Sequence, residues 1–152
     1  MNERPNKGGG IISEILSWLT RYRWVAVWTL SPSSPHLSPL LALSTGKRII
    51  NCASCLALWK ERTGEALGAL LLAEPHPGTR IFHIHSLISA ADDFDADGFE
   101  QFSKRWGQSD VRPYRSGGGY CSYIAHKLLR DDTEWELYGE IPLKEVKDAQ
   151  CN

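Results

Sequence analysis

The sequence predicts an α+β domain: a five-stranded antiparallel sheet with helices packed against it. Three observations carry that expectation. Segments with helix and strand character alternate in the order α β α β β α β α β. The two consecutive strands in the middle are separated only by PHPGT, the composition of a hairpin connection. The chain has 152 residues and a mass of 17.0 kDa, enough for one domain to bury a full core without disulfides.

Residues 1 to 10, ending in Lys7-Gly8-Gly9-Gly10, read as a flexible lead-in, the domain proper as 11 to 142, and 143 to 152 as a C-terminal tail. IISEILSWLTRY has the apolar spacing of a short helix. Arg23 to Ser31 is rich in β-branched and aromatic residues and stops at Pro32, which predicts the first strand, and PSSPHLSP is loop. From about Thr45 to Arg62 a helical stripe runs through Ile49, Ala53, Leu56 and Lys60, ending near Gly64. Ala66 to Glu74 and Arg80 to Ile88 form the hairpin. DADGFEQFSKRWG opens with capping acids and spaces Phe99, Phe102 and Trp106 as a helix, followed by a brief extended piece from Asp110 to Arg115. Gly117-Gly118-Gly119 is a hinge, YCSYIAHKLLR an amphipathic helix, and EWELYGE a final strand.

The chemistry concentrates in a few residues. His83 and His85 lie two apart in the apolar run IFHIHSLI, so a strand turns both imidazoles to one face. A single strand histidine is ordinarily a hydrogen-bonded core residue, but two on one face desolvate two polar groups, which a divalent metal would offset. Glu74 is the natural third ligand, subject to the hairpin's register. A tight loop leaves it four residues from His83, about 14 Å along a strand, whereas a wide loop over 75 to 82 sets it opposite His83. Pro75, Pro77 and Gly78 interrupt ladder bonding and favour the wide loop, with His76 as the substitute ligand. Tyr123 and Lys127 stand at i and i+4 on the last helix and share a face, with Tyr120 one turn earlier. A phenol titrates near ~10, so as a nucleophile it needs a metal polarising the phosphate and a cation such as Lys127 nearby.

The formal net charge of −1 argues against indiscriminate coating of nucleic acid. Residues 101 to 130 nevertheless carry Lys104, Arg105, Arg112, Arg115, Lys127 and Arg130 against Asp110 alone, a local charge of +5 between acidic flanks. That stretch is either a nucleic-acid footprint or a solvated helix face. The pair Cys52-x-x-Cys55 has no second pair and falls in a helix, so it reads as small buried residues. Four cysteines and an N-terminus without a signal pattern predict reduced thiols in a cytoplasmic protein, and no apolar stretch is long enough to span a bilayer.

WTLS on the first strand, Glu74 before HIHSLI, Trp106-Gly107 and then GGYCSYIAHK together resemble the HUH endonucleases that initiate rolling-circle replication of phages, plasmids and small DNA viruses. The resemblance covers about residues 23 to 140. It implies Mg²⁺ or Mn²⁺ held by His83, His85 and Glu74, with Tyr123 as the nucleophile that forms a 5′-phosphotyrosine link and frees a 3′ hydroxyl. It further implies single-stranded or hairpin origin DNA as substrate, contacts from Lys104, Arg105, Arg112, Arg115 and Arg130, and a host helicase as partner. The chain departs from many such initiators in placing His126 and Lys127 three and four residues after Tyr123, a spacing that resembles the parvovirus-like version. Tyr120 and Tyr123 are three apart rather than four, which argues against two nucleophiles. A single-tyrosine transposase, or an origin-binding domain that does not cut, stays open as an alternative.

Overall fold

The computed structural model describes residues 7–31, 45–75 and 82–144. Within them the elements are α1 (Lys7–Thr20), β1 (Ala26–Ser31), α2 (Thr45–Thr63), β2 (Gly68–Pro75), β3 (Phe82–Ser89), α3 (Ala96–Ser103) with a 3₁₀ turn over Lys104–Trp106, β4 (Gln108–Pro113), α4 (Tyr120–Leu128) and β5 (Glu134–Gly139). The expected alternation of elements is therefore present. Every strand pairs antiparallel with its neighbours, in the spatial order β4-β1-β3-β2-β5.

The central strands are apolar on both faces because helices cover both. Trp28, Leu71, Ala73, Ile84 and Ile88 point to the side closed by α2 and α3, where Leu56, Trp59 and Phe99 complete a buried cluster. Leu70, Leu72 and Leu87 point the other way, onto Leu19 of α1 and Ile124 and Ala125 of α4. Alternation along each strand thus sorts the side chains into two cores. Asp95 caps α3 by accepting the backbone N–H of Gly98 at 2.9 Å. At the sheet edge, Glu100 accepts the N–H of Val111 at 2.9 Å, tying α3 to β4.

Several boundaries differ from the sequence reading. Lys7 to Gly10, read as lead-in, forms the first turn of α1. Glycine costs a helix about 1 kcal/mol per residue without forbidding it, so the periodic run behind it wins. Residues 23 to 25 precede β1 rather than belonging to it. Arg23 donates its N–H to the Pro142 carbonyl at 3.0 Å, which ties this turn to the chain beyond β5. Leu143, assigned to the tail, bridges Tyr22. Cys52 and Cys55 are buried on α2, and burial raises the Cys55 thiol to about 12. The loop PSSPHLSP and His76 lie outside the described residues.

Candidate active site

The hairpin register sets Glu74 directly opposite His83, with one further pair, Pro75 and Phe82, beyond it. The register is that of the wide connection, and pairing runs one residue further along each strand than a 75-to-82 loop leaves. Along the α1/α4 face, β2 presents Leu70, Leu72 and then Glu74, while β3 presents Leu87, His85 and then His83. The same face that is apolar in mid-sheet becomes polar at its end.

α4 delivers the tyrosines and lysine onto that end. Gly119 at its N-cap has φ +81°, a left-handed conformation that glycine adopts without steric cost, and the chain turns there into Tyr120. Ile124 and Ala125 pack into the apolar part of the face, so Tyr123 and Lys127 project over Glu74.

Glu74 is the hub. It is 5% exposed, yet three donors converge on its carboxylate. The Tyr123 hydroxyl donates to Oε1 at 3.0 Å, and His85 Nε2 lies 3.0 Å from the same oxygen. Lys127 Nζ forms an ion pair with Oε2 at 3.0 Å and sits 5.2 Å from the Tyr123 ring centre. The His85 and Tyr123 rings meet edge-on at 5.6 Å.

Electrostatics follow from this convergence. Burial pushes the Glu74 carboxyl up, but Lys127, Tyr123 and His85 outweigh it and hold the group below its ordinary range, so it is ionised at neutral pH. His85 is shifted down, chiefly by burial and against the attraction of Glu74, and is therefore neutral at pH 7. A neutral imidazole with Nε2 against a carboxylate carries its proton there. That leaves Nδ1 as a buried lone pair with no hydrogen-bond partner. Tyr123 is raised to about 12, by burial first and then by the Glu74 charge and hydrogen bond, so its phenol stays protonated.

His83 is set 5.7 Å from His85, ring centre to ring centre, and its Nδ1 lies 3.3 Å from the Ser31 hydroxyl. Among the described residues no three His, Cys, Asp or Glu side chains converge on a single point. Tyr120 stacks at 5.7 Å on Tyr123 with its hydroxyl buried, and burial raises that phenol further than Tyr123. Of the two tyrosines, Tyr123 reaches Glu74.

The basic residues do not form one surface. Arg112 and Arg115 line a cleft of about 670 Å³ with Thr29 and Tyr120, beside the site. Arg112 pairs with Asp110 at 2.8 Å, and Arg130 makes a two-pronged pair with Asp132 at 2.9 and 3.0 Å. Lys104 and Arg105 belong to the 3₁₀ turn that follows α3, the helix packed against the opposite face. Sequence reasoning missed Ser31 and Thr29. Their polar side chains alternate with Trp28 and Leu30 in β1, and that alternation was the available signal.

No family model matches the chain and no curated protein is similar to it. Among solved structures, it is similar to the N-terminal nuclease domain of non-structural protein 1 of minute virus of mice. The identity is 10%, the likeness covers 92% of this chain and 79% of that one, and the TM-score is 0.28. That domain is described as coordinating Zn²⁺ in its active-site pocket and recognising DNA at the origin of replication.

Proposed function

We propose that this chain is a metal-dependent endonuclease of the HUH type, nicking and rejoining single-stranded or hairpin origin DNA through Tyr123. The observation that carries the reading is that the Tyr123 hydroxyl and His85 Nε2 converge on the same oxygen of Glu74. A nucleophile-type hydroxyl and two ligand-type side chains, each from a different element, thus share one point. The donor set suits a divalent cation: an ionised buried carboxylate, an imidazole whose Nε2 faces that carboxylate and becomes a lone-pair donor once its proton moves to the unpartnered Nδ1, and a second imidazole on the same face. Glu74, His85 and His83 would hold Mg²⁺ or Mn²⁺, with His83 leaving Ser31 to close the set. The ion, when bound, supplies positive charge to the non-bridging oxygens of the scissile phosphate.

The residues of the chain account for the remainder. Tyr123 forms the new O–P bond, the P–O3′ bond breaks, the phenol loses its proton and the 3′ oxygen gains one. Glu74 is a poor sink for the phenol proton, since its carboxyl lies below the ordinary range while the phenol stands near 12. Lys127, beside both groups, is the cation that favours phenolate once Glu74 is engaged elsewhere. Tyr120 positions Tyr123 by stacking.

A nicking assay on single-stranded origin DNA with Mn²⁺ tests this. The parent forms a covalent protein–DNA adduct and Tyr123→Phe does not; adduct formation by Tyr123→Phe at the parental level removes Tyr123 as nucleophile. A second reading, a domain that binds origin DNA without cutting, is favoured by the contacts that Tyr123, His85 and Lys127 already make with Glu74. Calorimetric Mn²⁺ titration separates the two, because the binding-only domain gives DNA affinity without a metal signal.

A further inference from the structure

Among the described residues three arginines pair with an aspartate: Arg23 with Asp92, Arg112 with Asp110 and Arg130 with Asp132. Arg62 and Arg105 are held differently. Arg62, in the last turn of α2, and Arg105, in the 3₁₀ turn after α3, both lie against the ring of Phe102, at 5.8 and 5.7 Å from its centre. Among the described residues neither forms an ion pair with a carboxylate. A ring face orients a guanidinium and leaves its charge and N–H edge available, whereas an aspartate consumes both. Phe102 is itself fixed by Trp59 and Trp106, each 5.3 Å away. Two clefts of about 420 and 430 Å³ adjoin here and share Arg62, Phe102 and Arg105. Glu61 and Asp95 also border them, so the anion they suit is one that approaches the guanidinium edges rather than fills the whole concavity.

The place of this cluster relative to the active site limits what that anion is. Gln108, three residues after Arg105, opens β4 and pairs with Ser31, whose hydroxyl meets His83. Along the backbone, two strand spacings of about 4.8 Å and three residues of chain separate Arg105 from His83, about 20 Å between their Cα positions. That is about six nucleotides along one strand at 3.4 Å each. We propose that Arg62 and Arg105 hold backbone phosphates of the DNA flanking the nick site, after it passes round the β4 edge. This rests on the nicking reading above.

The test measures affinity against salt for two probes: a hairpin carrying the nick site with long flanks, and a short single-stranded oligonucleotide ending close on either side of the nick. In Arg62→Gln/Arg105→Gln the slope of log affinity against log salt for the long probe becomes shallower by roughly 1.8, at about 0.9 per duplex phosphate, or roughly 1.4 if the contacted flank is single-stranded. The short probe keeps its parental slope and its Tyr123 adduct. Arg62→Lys/Arg105→Lys keeps both charges and most of the slope. A parental slope for the glutamine variant on the long probe overturns the proposal while leaving nicking intact. An equal loss in the lysine variant assigns the effect to disruption of the aromatic cluster and overturns it too. A parent that binds neither probe overturns both readings.

Discussion

The two faces of the same hairpin strands are built for different ends. On the α2/α3 side, Leu71, Ala73 and Ile84 meet Trp28, Leu56 and Phe99 in a sealed apolar layer. One residue along each strand, on the α1/α4 side, Glu74 and His85 desolvate an ionised carboxylate and an imidazole under two tyrosines and a lysine. The first arrangement maximises burial. The second spends stability to hold polar groups away from water, the pattern expected where chemistry needs them preorganised.

Truncating the sealed face gives the largest stability effect. Trp28 is fully buried and donates to the Ser109 hydroxyl at 2.9 Å, so Trp28→Ala costs about 3–5 kcal/mol in urea unfolding. Glu74→Gln, across the sheet, costs about 1–2 kcal/mol, because Lys127 can turn its ammonium to solvent once the carboxylate is gone. A larger loss for Glu74→Gln than for Trp28→Ala would break the contrast between the faces.

Acid sharpens the same contrast. The folded chain holds His85 with lower proton affinity than the unfolded chain, so unfolding takes up a proton as pH falls through 6.5. Stability is full above that value and declines below it as pH approaches the depressed folded value. Glu74 has the same sign and extends the loss below 4.5. Urea midpoints across this range fall in the parent, and His85→Gln flattens the upper part of the decline. Replacing Leu71 by Val leaves the pH profile unchanged.

Tyrosine titration gives a smaller effect. Tyr123 ionises near 12, seen as the alkaline ultraviolet difference between parent and Tyr123→Phe. Glu74→Gln moves that transition toward 10, since it removes the negative charge that opposes phenolate. The smallest is the thiol response of the sealed face: native Cys52 and Cys55 react with an alkylating reagent far more slowly than in urea, because burial raises both thiols.

Much of this was legible in the sequence. The period of two placed His83 and His85 on one face, and the i, i+4 spacing placed Tyr123 above Lys127, because both follow from backbone geometry alone. The prolines and Gly78 pointed to the wide hairpin connection that sets Glu74 opposite His83. Three things were not legible. The Ser31 contact to His83 depends on β1 being the neighbour of β3, a pairing no local pattern encodes. The convergence of Tyr123, His85 and Lys127 on one carboxylate depends on how α4 packs, which Ile124 and Ala125 decide through burial. The basic run of residues 101 to 130 is contiguous in sequence, yet the chain passes round the sheet edge between Arg105 and Arg112, which distributes its charges over separate surfaces.

The identity of the residue joined to DNA tests the central claim most directly. After reaction with Mn²⁺ and origin DNA, fragmentation mass spectrometry of the adduct peptide covering residues 120 to 127 should place the phosphodiester on Tyr123. A nucleotide on Tyr120, or a nicked product with no protein attached, would contradict the account.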